Sequence, residues 1–374
     1  MNLSKIKIGK ETYEFSNLPE ITNPSTFNEK VITFCKQWTD GKTSFEIQTS
    51  GSTGKPKTIK LERSSMIASA MATAQAINLK AGQTSLVCLD ANYIAGMMML
   101  VRSLEVGMNI IAVEPSANPF AKLESRDKIH FTALVPYQVK AILDSPQKDF
   151  FNQLETVIIG GAPLDEPTKN QLQNFSCQFY ETYGMTETIS HVALKKLNGK
   201  AKSDYFEILP GITIRQDERA CLCIKAPYLP DEIITNDVVE LKNLKAFIWL
   251  GRFDHVINSG GVKIFPESTE KKIANAFLQL NFKNEFFIAG LPDERLGQSV
   301  TLIVEGSLTL DQQQLLETKL KKELSKFEIP RSIKAAQKFV RTENGKINRA
   351  ETIARIATLT SSSSAQNKDD QGLQ

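Results

Sequence analysis

The segment Thr49–Lys57, TSGSTGKPK, collects the side chains that hold polyanions. It carries four hydroxyls, two glycines and two lysines in nine residues, and such loops bind phosphate through backbone N–H groups and flexible donors. A Walker loop would place Ser or Thr after Lys55, but Pro56 stands there and offers neither a hydroxyl for Mg²⁺ nor a backbone N–H. The pattern predicts a phosphate loop of another kind, with an ordinary Gly/Ser surface loop as the alternative.

A second segment, YETYGMTET (180–188), offers an aromatic ring and oxygen ligands. It follows the strand pattern CQFY (177–180), which places Tyr183 near the carboxyl end of a strand, where a ring can stack on a base. Thr186 and Glu187 supply oxygens of the kind that Mg²⁺ prefers. Because this pattern also begins helices, the segment alone leaves both interpretations open.

Three further segments are weak signals when taken singly. GGAPL (160–164) follows the strand pattern TVIIG, WLGRFDH (249–255) leads into NSGGVK (258–263), and RTENGKINR (341–349) presents a lysine after an Asn-Gly turn. Each on its own is also typical of a solvated turn.

The elements around these segments predict an α/β fold. Short apolar strands alternate with helical patterns from residue 45 to about 180, as in a mainly parallel sheet covered by helices. Strands without intervening helices follow from about 205 to 252 and predict a small antiparallel, β-barrel-like part. We expect a large domain over 1–252, a small mobile α+β domain over 253–357 and a disordered tail over 358–374.

Composition excludes several classes of function. Lys and Arg total 45 against 42 for Asp and Glu, with no long basic block, so nucleic acid is not an expected partner. The five cysteines are irregularly spaced and predict reduced thiols. The N-terminus lacks the apolar run of a signal peptide, and no apolar run is long enough to span a bilayer, so we expect a cytoplasmic protein that does not bind membranes. The sequence leaves its oligomeric state open.

The combination of TSGSTGKPK, YGMTE, GRFD and NGK, in this order, resembles the adenylate-forming superfamily of acyl-CoA synthetases, aryl-CoA ligases and peptide-synthetase adenylation domains. The resemblance covers about Phe45 to Arg349. It implies a ligase that uses ATP, Mg²⁺ and coenzyme A and activates a small carboxylic acid as an acyl-adenylate.

The resemblance also assigns roles to individual residues. The implied ATP-binding residues are Thr49, Ser50, Gly51, Ser52, Thr53, Gly54, Lys55, Lys57, Gly161, Ala162, Tyr183, Gly184, Asp237 and Arg252. The loop would hold the β- and γ-phosphates, residues 161, 162 and 183 the adenine, and Asp237 and Arg252 the ribose hydroxyls. Glu187 would hold Mg²⁺ with help from Thr186, Asp254 matches the hinge, and Lys346 matches the mobile catalytic lysine. The superfamily has Gly where this chain has Asn236.

Only 48 residues precede the phosphate loop, fewer than is usual in the superfamily. This short form, with TETISHVAL after Gly184, looks most like the compact o-succinylbenzoate–CoA ligases of menaquinone biosynthesis. Their acid has one carboxylate to activate and a second, aromatic one to recognise. Tyr93 and Arg102 lie in the expected acyl-pocket segment, and we expect Arg102 or His191 to pair with the second carboxylate. The alternative is an arginine that extends from a helix end to solvent and a histidine within a helix.

Three other functions remain open at this point. The chain resembles other acyl- or aryl-CoA ligases, which would accept monocarboxylates. An amino-acid adenylation module would need a carrier domain, and none follows Arg349. A non-enzymatic ATP-binding homologue would have no need of Lys346, whose presence favours an enzyme.

Overall fold

The computed structural model describes residues 4–49, 57–341 and 347–356, without the side chains of residues 48, 49 and 57. Contacts divide the chain into two compact units, one of Met1–Thr235 with Val239–Trp249 and one of Asn236–Val238 with Leu250–Gln374. The predicted tail 358–374 lies outside the described residues. Within the described ranges, no helix is both long and apolar enough to cross a membrane.

The helices include α1 (Phe27–Thr39), α2 (Arg63–Ile77), α3 (Ile94–Val106), α4 (Pro136–Leu143), α5 (Glu166–Leu172), α6 (Pro266–Gln279) and α7 (Leu310–Glu323). The first strands are β1 (Lys5–Ile8), β2 (Glu11–Glu14), β3 (Ser44–Thr49), β4 (Lys57–Glu62), β5 (Thr84–Val87), β6 (Asn109–Ala112), β7 (Phe131–Leu134), β8 (Thr156–Ile159), β9 (Gln178–Gly184) and β10 (His191–Lys196). The later strands are β11 (Phe206–Ile208), β12 (Thr213–Gln216), β13 (Cys221–Lys225), β14 (Ile233–Asn243), β15 (Ala246–Arg252), β16 (Ile257–Ser259), β17 (Val262–Ile264), β18 (Phe286–Asp293), β19 (Gly297–Glu305) and β20 (Ser332–Ala336).

The largest sheet has 13 strands, most of them in the first unit, in the order β12-β13-β14-β15-β11-β10-β9-β8-β7-β5-β6-β1-β2. The strands from β9 through β8, β7, β5 and β6 to β1 pair in parallel. Strands β7 and β8 are buried along their whole length because apolar clusters cover both faces. Val157 belongs to one cluster and Ile158 to the other, as the alternation of a strand requires. All five cysteines are buried and free of disulfides.

The antiparallel strands continue this sheet instead of forming a separate one. Strand β9 pairs in parallel with β8 over Gln178–Glu181 and antiparallel with β10 up to Gly184. The sequence pattern ends this strand at Tyr180, but the structure extends it through Gly184 because β10 returns alongside it. The predicted fold class is confirmed: a mixed α/β sheet with helices, followed by a smaller α+β unit.

Strands β3 and β4 differ from the prediction. The sequence pattern FEIQ places β3 at the start of the parallel alternation, whereas β3 and β4 form their own two-stranded antiparallel sheet, paired from Ser44 with Glu62 to Thr49 with Lys57. The apolar run alone does not reveal the strand's partner. The predicted phosphate loop joins the ends of these two strands.

The second unit holds a five-stranded sheet with α6 and α7. Its order is β17-β16-β19-β18, with β20 parallel to β19. The glycine-rich loop predicted after Arg252 contains the hairpin β16–β17, whose turn residues Gly260 and Gly261 have φ of 59° and 82°. Positive φ at both positions is what a tight hairpin needs, and glycine adopts it without strain.

Gly96 is the position where the first turn of α3 meets the chain that follows β5. A Cβ built there would lie 2.3 Å from the backbone oxygen of Asp90 and 2.6 Å from that of Leu89. We expect Gly96→Ala to lower the free energy of unfolding by about 2 kcal/mol, because backbone cannot yield as a side chain does. Urea denaturation measures this. The exposed neighbour Ala95 provides the control: Ala95→Ser should cost about 0.5 kcal/mol, and equal effects of the two would contradict the prediction.

Candidate active site

The loop after β8, Gly160–Leu164, is held against strand β9. Gly161 has φ of 90°, and a Cβ on Gly160 would lie 2.4 Å from the Thr182 hydroxyl. The Thr182 hydroxyl donates to the carbonyl of Ile159 (3.2 Å), and the backbone N–H of Leu164 donates to the buried Glu181 carboxylate (3.1 Å). The predicted adenine-binding residues 161 and 162 therefore lie on a backbone that β9 holds in place.

Tyr183 lies on β9 beside two phenylalanines. Its ring centre is 5.0 Å from that of Phe247, edge to face, and 5.7 Å from that of Phe206. Aromatic contacts of this geometry fix the plane of a ring. The ring predicted to contact adenine is thus oriented before any ligand arrives.

The turn between β9 and β10 carries the predicted Mg²⁺ ligands and is pinned by Thr188. The Thr188 hydroxyl accepts from the backbone N–H of Met185 (3.0 Å) and lies 2.6 Å from the carbonyl of Ser190. Ile189 has φ of 68°, a strained value for a β-branched residue. The sequence patterns did not single out Thr188. The segment forms a turn, so the helix alternative is wrong.

Gly184 has a packing role at the base of this turn. A Cβ there would lie 2.4 Å from both the Cα of His191 and the carbonyl oxygen of Ser190. Glycine is needed because β10 passes so close to β9. Its predicted role in binding ATP stays a prediction.

Glu187 has the character of a ligand for a hard cation. Its side chain is exposed and has no hydrogen-bond or ion-pair partner among the described residues. Thr186, half-buried, accepts the backbone N–H of Ile189 through its carbonyl (2.9 Å), so its hydroxyl is not needed to close the turn. One carboxylate supplemented by substrate phosphates suits Mg²⁺, which keeps several waters. The residues present therefore fit the cation that the resemblance implies.

Arg102 is the most unusual charged residue of the first unit. It lies on α3 with 2% of its surface exposed and forms no ion pair with any carboxylate in the described part of the chain. Its Nη2 donates to the hydroxyl of Ser190 (2.5 Å) and lies 3.4 Å from Nδ1 of His191, while its Nε has no partner. Burial lowers the pKa of Arg102 to about 9, which leaves the guanidinium charged at neutral pH. The interpretation as an arginine that reaches solvent is wrong.

His191 is a neutral acceptor for this cation. It begins β10, so the alternative of a histidine within a helix is wrong, and burial together with the charge of Arg102 holds its pKa well below the usual range. Its Nε2 lies 3.0 Å from the hydroxyl of Thr73, which donates to the carbonyl of Ser69 (3.2 Å). Since that hydroxyl has one proton, Nε2 carries the imidazole proton and Nδ1 accepts from Arg102. No sequence pattern indicated a functional role for Thr73, which lies on α2.

Tyr93 is separate from this cluster. It is exposed and precedes α3, whereas Arg102 lies nine residues along the helix, about 13 Å by helical rise. The structure brings Arg102 and His191 together but not Tyr93.

In the second unit, Arg252 pairs with the predicted hinge residue. Its Nε and Nη2 contact the two carboxylate oxygens of Asp254 at 2.9 and 3.1 Å. Asp237, 8% exposed on β14, adds to the negative field that raises the pKa of Arg252, after Asp254 itself. The charge of Asp237 therefore acts on Arg252, and the two side chains lie near enough to share a ribose site.

The other predicted residues cannot be placed. Ser50, Gly51, Ser52, Thr53, Gly54, Lys55 and Lys346 lie outside the described residues, as do the side chains of Thr49 and Lys57.

Comparison with known proteins places this geometry in a family. The model of the AMP-binding enzyme family matches residues 18–215. The 2-succinylbenzoate–CoA ligase of Lactococcus lactis is 27% identical over 344 residues, covering 87% of this chain and 74% of that protein. An acyl-CoA synthetase (AMP-forming)/AMP-acid ligase II-like protein from Dyadobacter fermentans is 39% identical, with a TM-score of 0.61 over 91% of this chain and 96% of its own.

A further solved structure supports the fold alone. The O-succinylbenzoate coenzyme A synthetase of Bacillus subtilis, in complex with ATP and magnesium ion, is 19% identical with a TM-score of 0.68, covering 82% of this chain and 69% of that one. The family match spans more than half of the chain, so the resemblance drawn from the motifs is confirmed: this protein belongs to the family of AMP-binding enzymes.

Proposed function

We propose that this protein is an AMP-forming acid–CoA ligase whose acid is 2-succinylbenzoate. The reaction joins 2-succinylbenzoate, ATP and CoA to give 2-succinylbenzoyl-CoA, AMP and diphosphate. The similarity to 2-succinylbenzoate–CoA ligases of several bacteria supports the class of acid.

The observation that carries the proposal is the buried charge of Arg102. A guanidinium out of water is costly unless an anion meets it, and the described residues supply only the neutral acceptors Ser190 and His191. The only carboxylate of a monocarboxylic acid reacts with ATP, so it is not free to pair with Arg102. A dicarboxylic acid such as 2-succinylbenzoate brings a second one, which an arginine binds well.

In the first half-reaction the aliphatic carboxylate attacks the α-phosphorus of ATP, and the bond to the bridging oxygen breaks to release diphosphate. We assign the phosphates to the loop Thr49–Lys57, adenine to Gly161, Ala162 and Tyr183, and ribose to Asp237 and Arg252. Bound through Glu187 with Thr186, Mg²⁺ would neutralise phosphate charge. The ammonium of Lys346 would stabilise charge on the entering and bridging oxygens.

In the second half-reaction the thiolate of CoA attacks the acyl carbon and AMP leaves. We propose that the chain turns at Asp254 between the two steps, so that Lys346 withdraws.

The hinge proposal predicts a selective defect for Asp254→Pro. Proline fixes φ and hinders rotation, so thioester formation should fall about tenfold more than adenylate formation, as measured by single-turnover assays of each step. Asp254→Asn is the control, because it removes the charge pairing with Arg252 but leaves the backbone free. If Asp254→Pro slowed both steps by the same factor relative to wild type, the hinge would lie elsewhere.

A diphosphate-release assay with ATP, Mg²⁺, CoA and a panel of acids tests the function. Two acids form a matched pair: 2-succinylbenzoate and β-benzoylpropionate, which lacks only the ring carboxylate. We expect kcat/KM at least 100-fold higher for the first, since a buried charge pair contributes about 3 kcal/mol or more. Preference for fatty or simple aryl acids would overturn the assigned substrate but not the reaction, and inactivity with every acid would favour a non-enzymatic ATP-binding protein.

A further inference from the structure

Among the buried polar atoms of the first unit that have no hydrogen-bond partner, three belong to side chains that lie near one another. They are Nε of Arg102, Oγ of Ser69 and Oη of Tyr228. Ser69 lies on α2 with no exposed surface, and Tyr228 lies between β13 and β14, half-buried. Folded proteins pair nearly all such atoms, because an unpaired one has lost its hydrogen bonds to water without gaining others.

The hydroxyls of Ser69 and Tyr228 and the guanidinium of Arg102 lie close enough to interact. Burial raises the pKa of Tyr228, while the Ser69 hydroxyl and the charge of Arg102 oppose that rise. The hydroxyls of Ser69 and Tyr228 are neighbours but do not meet the geometry of a hydrogen bond. Thr73, one turn beyond Ser69 on α2, reaches His191 and so connects the same helix to Arg102.

The donors match one kind of ligand. Nη2 of Arg102 is occupied by Ser190 and His191, and Nε–H is a buried donor without a partner. With the hydroxyls of Ser69 and Tyr228, the cluster offers three donors beside a positive charge. A carboxylate is an acceptor with about four lone-pair positions and a negative charge, so it satisfies all three donors and the charge together.

We propose that Ser69 and Tyr228 complete, with Arg102, a subsite that binds the second carboxylate of the acid. This proposal rests on the proposed function, because it needs an acid with two carboxylates. Ser69 and Tyr228 then determine specificity for dicarboxylic acids, and neither touches the reacting carboxyl.

The test uses Tyr228→Phe and Ser69→Ala with the matched pair of acids. We expect each substitution to raise KM for 2-succinylbenzoate about tenfold, as for a lost hydrogen bond to a charged group, with kcat, KM for ATP and KM for β-benzoylpropionate within twofold of wild type. The melting temperature should not fall, since the hydroxyl removed has no partner in the unliganded protein. Tyr205→Phe, at an exposed tyrosine, is the control and should change nothing.

Three outcomes would overturn the subsite. Unchanged KM values would mean that ordered water satisfies these atoms. A similar rise for both acids would mean that the hydroxyls contact the shared part of the substrate. A wild-type enzyme that uses both acids equally would refute the proposed substrate as well, whereas a wild-type preference for 2-succinylbenzoate with unaltered variants would refute the subsite alone.

Discussion

Replacing Arg102 by methionine should lower kcat/KM for 2-succinylbenzoate about 100-fold or more and leave that for β-benzoylpropionate within a few fold. The reason is that methionine fills similar apolar volume but offers no charge to the second carboxylate, and losing one partner of a buried charge pair costs about 2–5 kcal/mol. Steady-state diphosphate release with each acid measures the change. Arg102→Lys should recover only part of the loss, because an ammonium lacks the planar fork of donors.

The same substitution should not destabilise the protein without substrate. Burial in the folded protein lowers the pKa of Arg102 from its ordinary value to about 9, so folding disfavours the charged form. That penalty is fully present below pH 9 and fades as pH rises from there towards the pKa of an arginine in the unfolded chain. At pH 7 we therefore expect Arg102→Met to have equal or greater stability in urea, while Arg126→Met, at an exposed arginine, should change little.

Loss of both stability and activity in Arg102→Met would identify a structural arginine. Activity with both acids falling together would point to the same conclusion. A stable variant that has lost only the dicarboxylic acid is the result that the carboxylate role requires.

Replacing Lys346 by alanine should reduce adenylate formation by about 100- to 1,000-fold, the usual effect of removing a donor that stabilises transition-state charge. Thioester formation from supplied acyl-adenylate should stay within a few fold of wild type. In that step the thiolate attacks the acyl carbon, and no diphosphate leaves the α-phosphorus, so the ammonium of Lys346 is not needed there. Pre-steady-state diphosphate release and thioester assays measure the two steps separately. Lys338→Ala, at an exposed lysine of the same unit, is the control.

Equal damage to both steps in Lys346→Ala would contradict the division of labour between the half-reactions. An unaffected first step would remove Lys346 from the proposed mechanism altogether.

The sequence was sufficient where the chemistry depends on short segments. TSGSTGKPK, YGMTE, GRFD and NGK identified the family, and the apolar alternation gave the α/β class, since both signals are local along the chain. Predictions from the same patterns ended β9 at Tyr180 and placed β3 in the wrong sheet. Both errors arose because the partner of a strand is not visible in its own residues.

Only the tertiary structure decided which residues surround Arg102. The sequence left Arg102 undecided between solvent and substrate, and it gave no signal for Ser69, Thr73 or Tyr228. Ser69 and Thr73 are far from Arg102 along the chain, and α2 brings them near it because it packs along α3. The sequence by itself determined the reaction's family through contiguous motifs, whereas the burial of an unpaired charge depends on which elements surround it, and that is a property of the fold.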